Sequence, residues 1–470
     1  MNRYCILMIA TLAAGAAVAD DMALVGATVH DGTRGPALED GVILVADGRI
    51  TCVGSRVECA TTEQFETVDL SGRHITPGLV DGHVHYAQTG WLDGRPDSRI
   101  GTDHYDYEAL QRSLRDDPGR WHRAYLCSGI TAVYDVGGLP WTVELAQADE
   151  APPQRPHYKA AGPLITHYEP VFGVMSAMGT DTFLPMDSDE AARESVEQLV
   201  DMGAQAIKVW YLDSPANQRE AMDERIGLIG EAAREAGLPL IVHATELRNA
   251  KAALRAGAQM LVHSVEDQPV DEEFLELMRA NGTFYAPTLT VSGNWARAVA
   301  SVRLGVEAPE IDDPNGCVDA ETRRVVAEAD EFFGEPSPAV VEGAFSRLEA
   351  TAAGEALMQR NLLRVFEAGV PIVTSTDAGN PLTLHGPSIY AEMEAMQSAG
   401  ISQGDIIRMS TRNGAAAMGR LDDFGTLEAG KLADLIVLED DPSKSAEAFR
   451  SITHVMRAGA LAPITEYAEE

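Results

Sequence analysis

The chain has 470 residues, 45% of them hydrophobic, and a formal net charge of -36 from 36 Lys and Arg against 72 Asp and Glu. That length accommodates a barrel of about 250 residues and a second domain, and the apolar content excludes a disordered chain. The charge balance argues against nucleic acid and against anionic membrane surfaces as partners.

The first segment, MNRYCILMIATLAAGAAVAD, has the layout of a signal peptide. Arg3 is a short charged region, residues 6–18 are apolar, and Ala17-Val18-Ala19 is a small-x-small cleavage site. Removal of residues 1–19 would leave a periplasmic or secreted protein. The stretch is too short to span a bilayer, which needs about 20 residues, and no other span follows. Of the cysteines, Cys5 would leave with the leader. Cys52 and Cys59 are close enough to pair in an oxidising compartment, and buried free thiols fit them equally well. Cys127 and Cys317 lie far apart in the chain, and no CxxC pair suggests a zinc knuckle.

Residues 20–75 read as short strands. ALVGATVHDG, GVILVADGRI and ITCVG alternate or run apolar between Gly and Asp turns. Residues 421–470 read similarly in GTLEAGKLADLIVLED and SITHVMRAG. The two ends are expected to pack together as a small β-sandwich. Between them, over 76–420, eight apolar runs alternate with helical patterns: LVDGHVHY, ITAVYDV, PHYKAAG, AIKVWY, PLIVHA, QMLVHS, TFYAPTL and PIVTSTDAG. The helices carry end signals. Ser188–Met202 opens on an N-cap with acids in its first turn. Arg219–Ala236 stops at Gly237, and 250–256 and 356–368 stop at Gly257 and Gly369. This alternation predicts an α/β fold, a (β/α)8 TIM barrel. An insertion over about 291–350, in a long gap that reaches 370, is either a lid or partner surface or a solvated decoration.

In such a barrel the C-terminal strand ends face the active site. His83 and His85 end the first run, two residues apart and so on one face of a strand. Lys208 lies in the fourth run, His243 ends the fifth, His263 the sixth and Asp377 the eighth. Singly, each has an ordinary explanation, as a hydrogen-bonded core histidine or a helix-capping acid. Lys208 is the anomaly. It is one of five lysines, with Lys159, Lys251, Lys431 and Lys444, and it sits between Ile207 and Val209, where a bare ammonium is costly. A buried lysine can lose its charge and react as an amine. One product is a carbamate formed with carbon dioxide, whose two oxygens can bridge two metals. Together the six residues read as a metal site. His167, Tyr211 and His385 are weaker candidates for substrate contacts, with loop packing as the alternative. His30, His74, His104, His122, His157 and His454 are assigned to structure. The run GTLEAGKL imitates a phosphate loop, but Leu432 stands where Ser or Thr is needed and a strand-like run follows it.

TPGLVDGHVH at 76–85, Lys208, His243, His263, TDAG at 376–379 and the tail GTLEAGKLADLIVL at 425–438 resemble the amidohydrolase superfamily over nearly the whole mature length. Within it, Lys208 and the His243-to-His263 spacing are similar to the binuclear branch that includes prolidase-like peptidases and ochratoxin-hydrolysing amidases. The resemblance implies that His83, His85 and Asp377 hold one divalent ion and His243 and His263 the other. Carbamylated Lys208 and a hydroxide would bridge them, and Asp377 would carry the proton to the leaving nitrogen. Zinc is the default, and manganese or cobalt can substitute. The expected activity is hydrolysis of amide bonds in dipeptides or N-acyl amino acids bearing a free carboxylate. Lactone, cyclic-amide and phosphotriester hydrolysis on the same two ions are the alternatives. A mononuclear imidazolone-type hydrolase would leave Lys208 without a task. A non-catalytic binding protein would be favoured by a missing ligand, and none is missing. The partners expected are a small-molecule substrate and, in a homo-oligomer, further copies of the chain.

Overall fold

The computed structural model describes residues 21–95, 104–148, 150–172, 182–305, 308–328 and 336–469. The signal-peptide reading over 1–19 lies outside the described residues.

Both chain ends contribute to one sheet. Met22–Val29 pairs antiparallel with Leu38–Ala46, which pairs with Arg49–Gly54. The other edge of Met22–Val29 is shared between Glu66–Asp69 and His74–Pro77, both parallel to it. His74–Pro77 then pairs with Leu435–Leu438, followed by Ile452–Arg457 and Ala460–Pro463. The fork lets the sheet fold over on itself as a sandwich. Leu24, Val29, Ile43 and Val45 from one wing enclose a core with Leu435, Val437 and Met456 from the other. The alternate residues Ala23, Val25, Val42 and Leu44 pack on the outer face beside Cys59, as the two-residue side-chain period of a strand requires. Gly26 adopts φ 90°, a conformation open to glycine, where the pairing with Leu38–Ala46 slips.

His74–Pro77 feeds directly into the first barrel strand, Leu79–Val84. Parallel pairing continues to Ile130–Asp135 and His157–Ala160. A second ladder runs through Leu164–Thr166, Ile207–Trp210, Leu240–His243, Met260–Val262 and Phe284–Ala286. The third predicted run is thus one barrel position split by Gly162 into two short strands. The eighth run is held by isolated bridges, Ile372 to Tyr285 and Ala378 to Val84, and these close the barrel. The eight predicted runs are the eight barrel positions. Among the described residues no helix is long and apolar enough to cross a membrane.

The predicted helices form with small shifts of their ends. Asp189–Met202 is capped by Ser188, whose side chain accepts from the Ala191 N–H, and it stops at Gly203 in the left-handed conformation. One helix is far longer than predicted. The pattern at 356–368 is the last part of Pro338–Glu367, a 30-residue helix capped by Ser337 with Pro338 in its first turn. Its buried residues are Met358, Asn361, Leu362 and Val365. The first half is mostly exposed and has no continuous apolar stripe, which hides it from a periodicity reading. This helix, with Val291–Leu304 and Ala320–Ala327, makes up the insertion.

All four cysteines of the described residues are paired. Cys52–Cys59 forms a bridge, and so does Cys127–Cys317 across 190 residues. The second pairing is not apparent from spacing. It joins the end of helix Gly119–Cys127 to the segment preceding Ala320–Ala327. A cross-link closing so long a loop removes much unfolded-state entropy. The double variant Cys127→Ser/Cys317→Ser is therefore expected to lose about 2–4 kcal/mol of stability, measured as a lower denaturant midpoint. An unchanged midpoint would show that the bridge constrains nothing in the unfolded chain.

Candidate active site

The C-terminal ends of the barrel strands open into a cavity of about 830 Å³. Its wall contains His83, His85, Lys208, His243, His263 and Asp377. The strand register brings these six residues to one place from five different strand positions.

Asp377 Oδ1 lies 3.1 Å from His83 Nε2 and 2.9 Å from His85 Nε2, and the two Nε2 atoms are 3.1 Å apart. Asp377 Oδ1 has no partner of hydrogen-bond geometry despite these contacts. Three donor atoms at such spacing suit one cation with bonds of about 2.1 Å. His263 joins this group, since His83, His263 and Asp377 offer donor atoms within 4.8 Å of one another. The His263 ring centroid is 5.1 Å from that of His83 and 4.4 Å from that of His243, so the imidazoles form a continuous row. The donor set fits divalent ions.

Neighbouring groups fix the rings. His85 Nδ1 is 2.6 Å from the Gly137 carbonyl, which assigns the proton to Nδ1 and leaves Nε2 with its lone pair. His263 Nδ1 is 2.7 Å from Thr288 Oγ1. Burial, followed by the Lys208 charge and neighbouring imidazoles, holds His83 well below the ordinary histidine range. His243 and His263 are likewise depressed, first by burial. Neutral imidazole is the form that ligates a metal. Burial alone would raise the Asp377 carboxyl, but His85, His263 and Lys208 outweigh it and hold it low. Lys208 is 2% exposed. Burial pulls its ammonium down to about 7, against the pull of Asp377 and Asp135. A large fraction is then free amine near neutrality.

The backbone at this rim is strained. His263 at φ 73°, Thr288 at φ 44° and Asp377 at φ 65° lie in the left-handed region, among seven such non-glycine residues described. Each costs on the order of 1 kcal/mol or more, and such strain clusters where side chains must be aimed. Two buried carboxylates hold the rim in place. Asp81 accepts from the His83 N–H at 3.2 Å, the Thr376 N–H at 3.0 Å and the Thr376 hydroxyl at 2.6 Å, tying the first strand to the eighth. Glu392 accepts from the Leu289 and Thr290 N–H groups at 2.8 and 3.1 Å, fixing the loop that carries Thr288. The sequence reading passed over both. Asp81 was visible as an acid inside an apolar strand. Glu392 carries no local signal, because its partners are about 100 residues away in the chain.

The three weaker candidates stand apart. Among the described residues the cavity wall does not include His167, Tyr211 or His385. His167 Nε2 meets Ser214 Oγ at 3.0 Å. The Tyr211 hydroxyl donates to Asp223 at 2.5 Å. His385 stacks on Trp121 at 4.0 Å and bridges the Tyr125 hydroxyl and the Gln88 carbonyl. The insertion, by contrast, is part of the wall. Trp295, Arg347 and Met358 come from its helices.

The chain is similar to curated proteins along most of its length. An imidazolonepropionase of Methylobacterium nodulans is 26% identical over 446 residues, spanning 87% of this chain and 90% of that protein. An imidazolonepropionase of Rhizorhabdus wittichii is 27% identical over 426 residues, spanning 85% and 88%. Among solved structures, a Xaa-Pro dipeptidase with bound methionine superposes with a TM-score of 0.71 at 22% identity, covering 94% of this chain and 100% of that one. The ochratoxinase of A. niger superposes with a TM-score of 0.69 at 20% identity, covering 94% and 96%. At these identities the superpositions establish the fold. The profile of the amidohydrolase family matches residues 74–462, from the strand that enters the barrel to the last strand of the sandwich. The chain belongs to the amidohydrolase family.

Proposed function

We propose that this metal-dependent hydrolase of carbon–nitrogen bonds acts on dipeptides with a free amine and a free carboxylate. One observation carries the reading: the cavity wall holds both cations and carboxylates, Arg95 and Arg347 with Glu246, Glu266 and Asp267. Arg95, which follows the first strand, donates to Asn380 at 2.6 Å and to Gln88 at 3.1 Å and lies 4.9 Å from the Trp295 ring. Arg347 adds a second cation. Glu246, Glu266 and Asp267 follow the fifth and sixth strands. Burial, followed by the neighbouring acids, raises Glu266 above the ordinary range, so an entering ammonium relieves crowded charge there. A zwitterionic peptide offers a partner to both kinds of charge, whereas an N-acyl amino acid offers one only to the cations.

In this reading His83, His85 and Asp377 would hold one divalent ion and His243 and His263 the other, and Lys208, once carbamylated, would add an anionic oxygen ligand. The ions, zinc by default, would supply Lewis acidity and make water nucleophilic near neutral pH. Asp377 accepts the proton of the attacking water and returns it to the leaving nitrogen. Arg95 holds the carboxylate so that the scissile carbonyl faces Asp377. An exported location belongs to the same proposal, and the two disulfides support it.

The test is product release from zinc-loaded protein offered a mixed panel of dipeptides and N-acyl amino acids. Mass spectrometry scores free amino acids, with Asp377→Asn as control. Release favouring free-amine peptides at least tenfold, and absent in the control, is expected. No release from a protein with its metal confirmed would discard the reading. Arg95→Ala is expected to raise KM by about ten- to a hundredfold with little change in kcat, since it removes ground-state binding. An unchanged KM would place the carboxylate elsewhere.

A second reading, opening of a small cyclic amide, is favoured by the imidazolonepropionase relatives. Consumption of a cyclic amide without release of a second product would identify it.

A further inference from the structure

His30 and His74, which the sequence pattern consigns to structure, meet Asp441 in the sandwich domain away from the barrel mouth. His30 follows the strand Met22–Val29, and His74 begins His74–Pro77, paired with Thr28. Asp441 lies just beyond Leu435–Leu438, whose last residue pairs with His74. His30 Nε2 is 3.4 Å from His74 Nδ1, and Asp441 Oδ1 is 3.8 Å from the first and 3.9 Å from the second. The point equidistant from the corners of a triangle with these edges is about 2.1 Å from each, the bond length of zinc to imidazole and carboxylate. The two imidazole nitrogens are in contact at 3.4 Å, and the carboxylate oxygen stands off both beyond hydrogen-bond distance.

We propose that His30, His74 and Asp441 form a structural binding site for a divalent transition metal, zinc in the first instance, separate from the catalytic centre. Two imidazoles and one carboxylate suit zinc, and the partial exposure of the three side chains, 10%, 17% and 31%, leaves water as the fourth ligand. Asp441 Oδ1 also accepts the Ser443 N–H at 2.9 Å, which orients the carboxylate and leaves one lone pair for the ion. Lys444 Nζ approaches the other oxygen at 3.8 Å and is 78% exposed, so it can swing away. The ion would link the N-terminal strand, the strand that enters the barrel and the C-terminal segment, and so fasten the two ends of the chain together.

The experiment compares zinc per chain, by elemental analysis after saturation and desalting, in the full-length protein and in His74→Gln and Asp441→Asn. It reads a difference, so the result does not depend on how many ions the barrel holds. Each variant is expected to bind one zinc fewer than the parent and to lose part of the zinc-dependent rise in Tm. Hydrolysis should stay within about twofold of the parent, because the barrel ligands are untouched. Asp441→Asn keeps the Ser443 contact and so guards against misfolding of the histidine variant. Equal zinc content in the parent and a folded Asp441→Asn protein would overturn the site.

Discussion

Asp377→Asn is expected to fold, to melt close to the parent and to lose at least a thousandfold in kcat. The backbone argument comes first. Asp377 sits at φ 65°, and Asn tolerates that conformation about as well as Asp. Its N–H donates to the His83 carbonyl at 2.8 Å, a bond the substitution leaves alone. The chemistry changes fully. An amide cannot take up a proton, and its weaker donor oxygen faces His83 and His85 where a carboxylate stood. A thousandfold loss corresponds to about 4 kcal/mol of transition-state stabilisation, the size expected when a proton carrier and a metal ligand are lost together. Circular dichroism melting and metal analysis separate a dead site from an unfolded chain. Turnover within tenfold of the parent would remove Asp377 from the reaction.

Lys208→Ala should reduce metal content and drop turnover by a similar factor. The residue lies on the strand Ile207–Trp210, paired with Ile241 on one side, and it is almost fully buried. With its ammonium drawn down to about 7, a large fraction is neutral amine near neutral pH. That amine can take up carbon dioxide. Lys208→Arg is the informative companion, because guanidinium keeps the charge and cannot lose it to react. Both variants should fail alike if the carbamate matters, whereas arginine should rescue if charge alone matters. Uptake of isotope-labelled bicarbonate, read as a carbamate carbon signal in the parent and absent in both variants, gives a readout independent of turnover. Full activity in Lys208→Ala would refute a bridging role.

The proposed site was legible because the barrel converts a local pattern into a place. His83, His85, His243, His263 and Asp377 each end an apolar run, and parallel pairing in register brings such ends together. No long-range knowledge is needed to see that arrangement. His167, Tyr211 and His385 lie off the cavity wall among the described residues. Being just beyond a strand does not fix which way a loop side chain turns, and their partners Ser214, Asp223 and Trp121 had no signal beside them.

The sequence by itself determined the eight-run alternation, the six polar exceptions within it and the pairing of the chain ends as a β-rich unit. These follow from periods of two and 3.6 residues and from turn chemistry, which act over a few neighbours. Tertiary structure alone decided the rest: that Cys127 reaches Cys317, that helix Pro338–Glu367 brings Met358 to the cavity wall, that Arg95 shares this wall with the acids after the fifth and sixth strands, and that His30, His74 and Asp441 meet. Each of these depends on contacts between segments distant in the chain, and such contacts are set by how whole layers pack, which no local periodicity encodes.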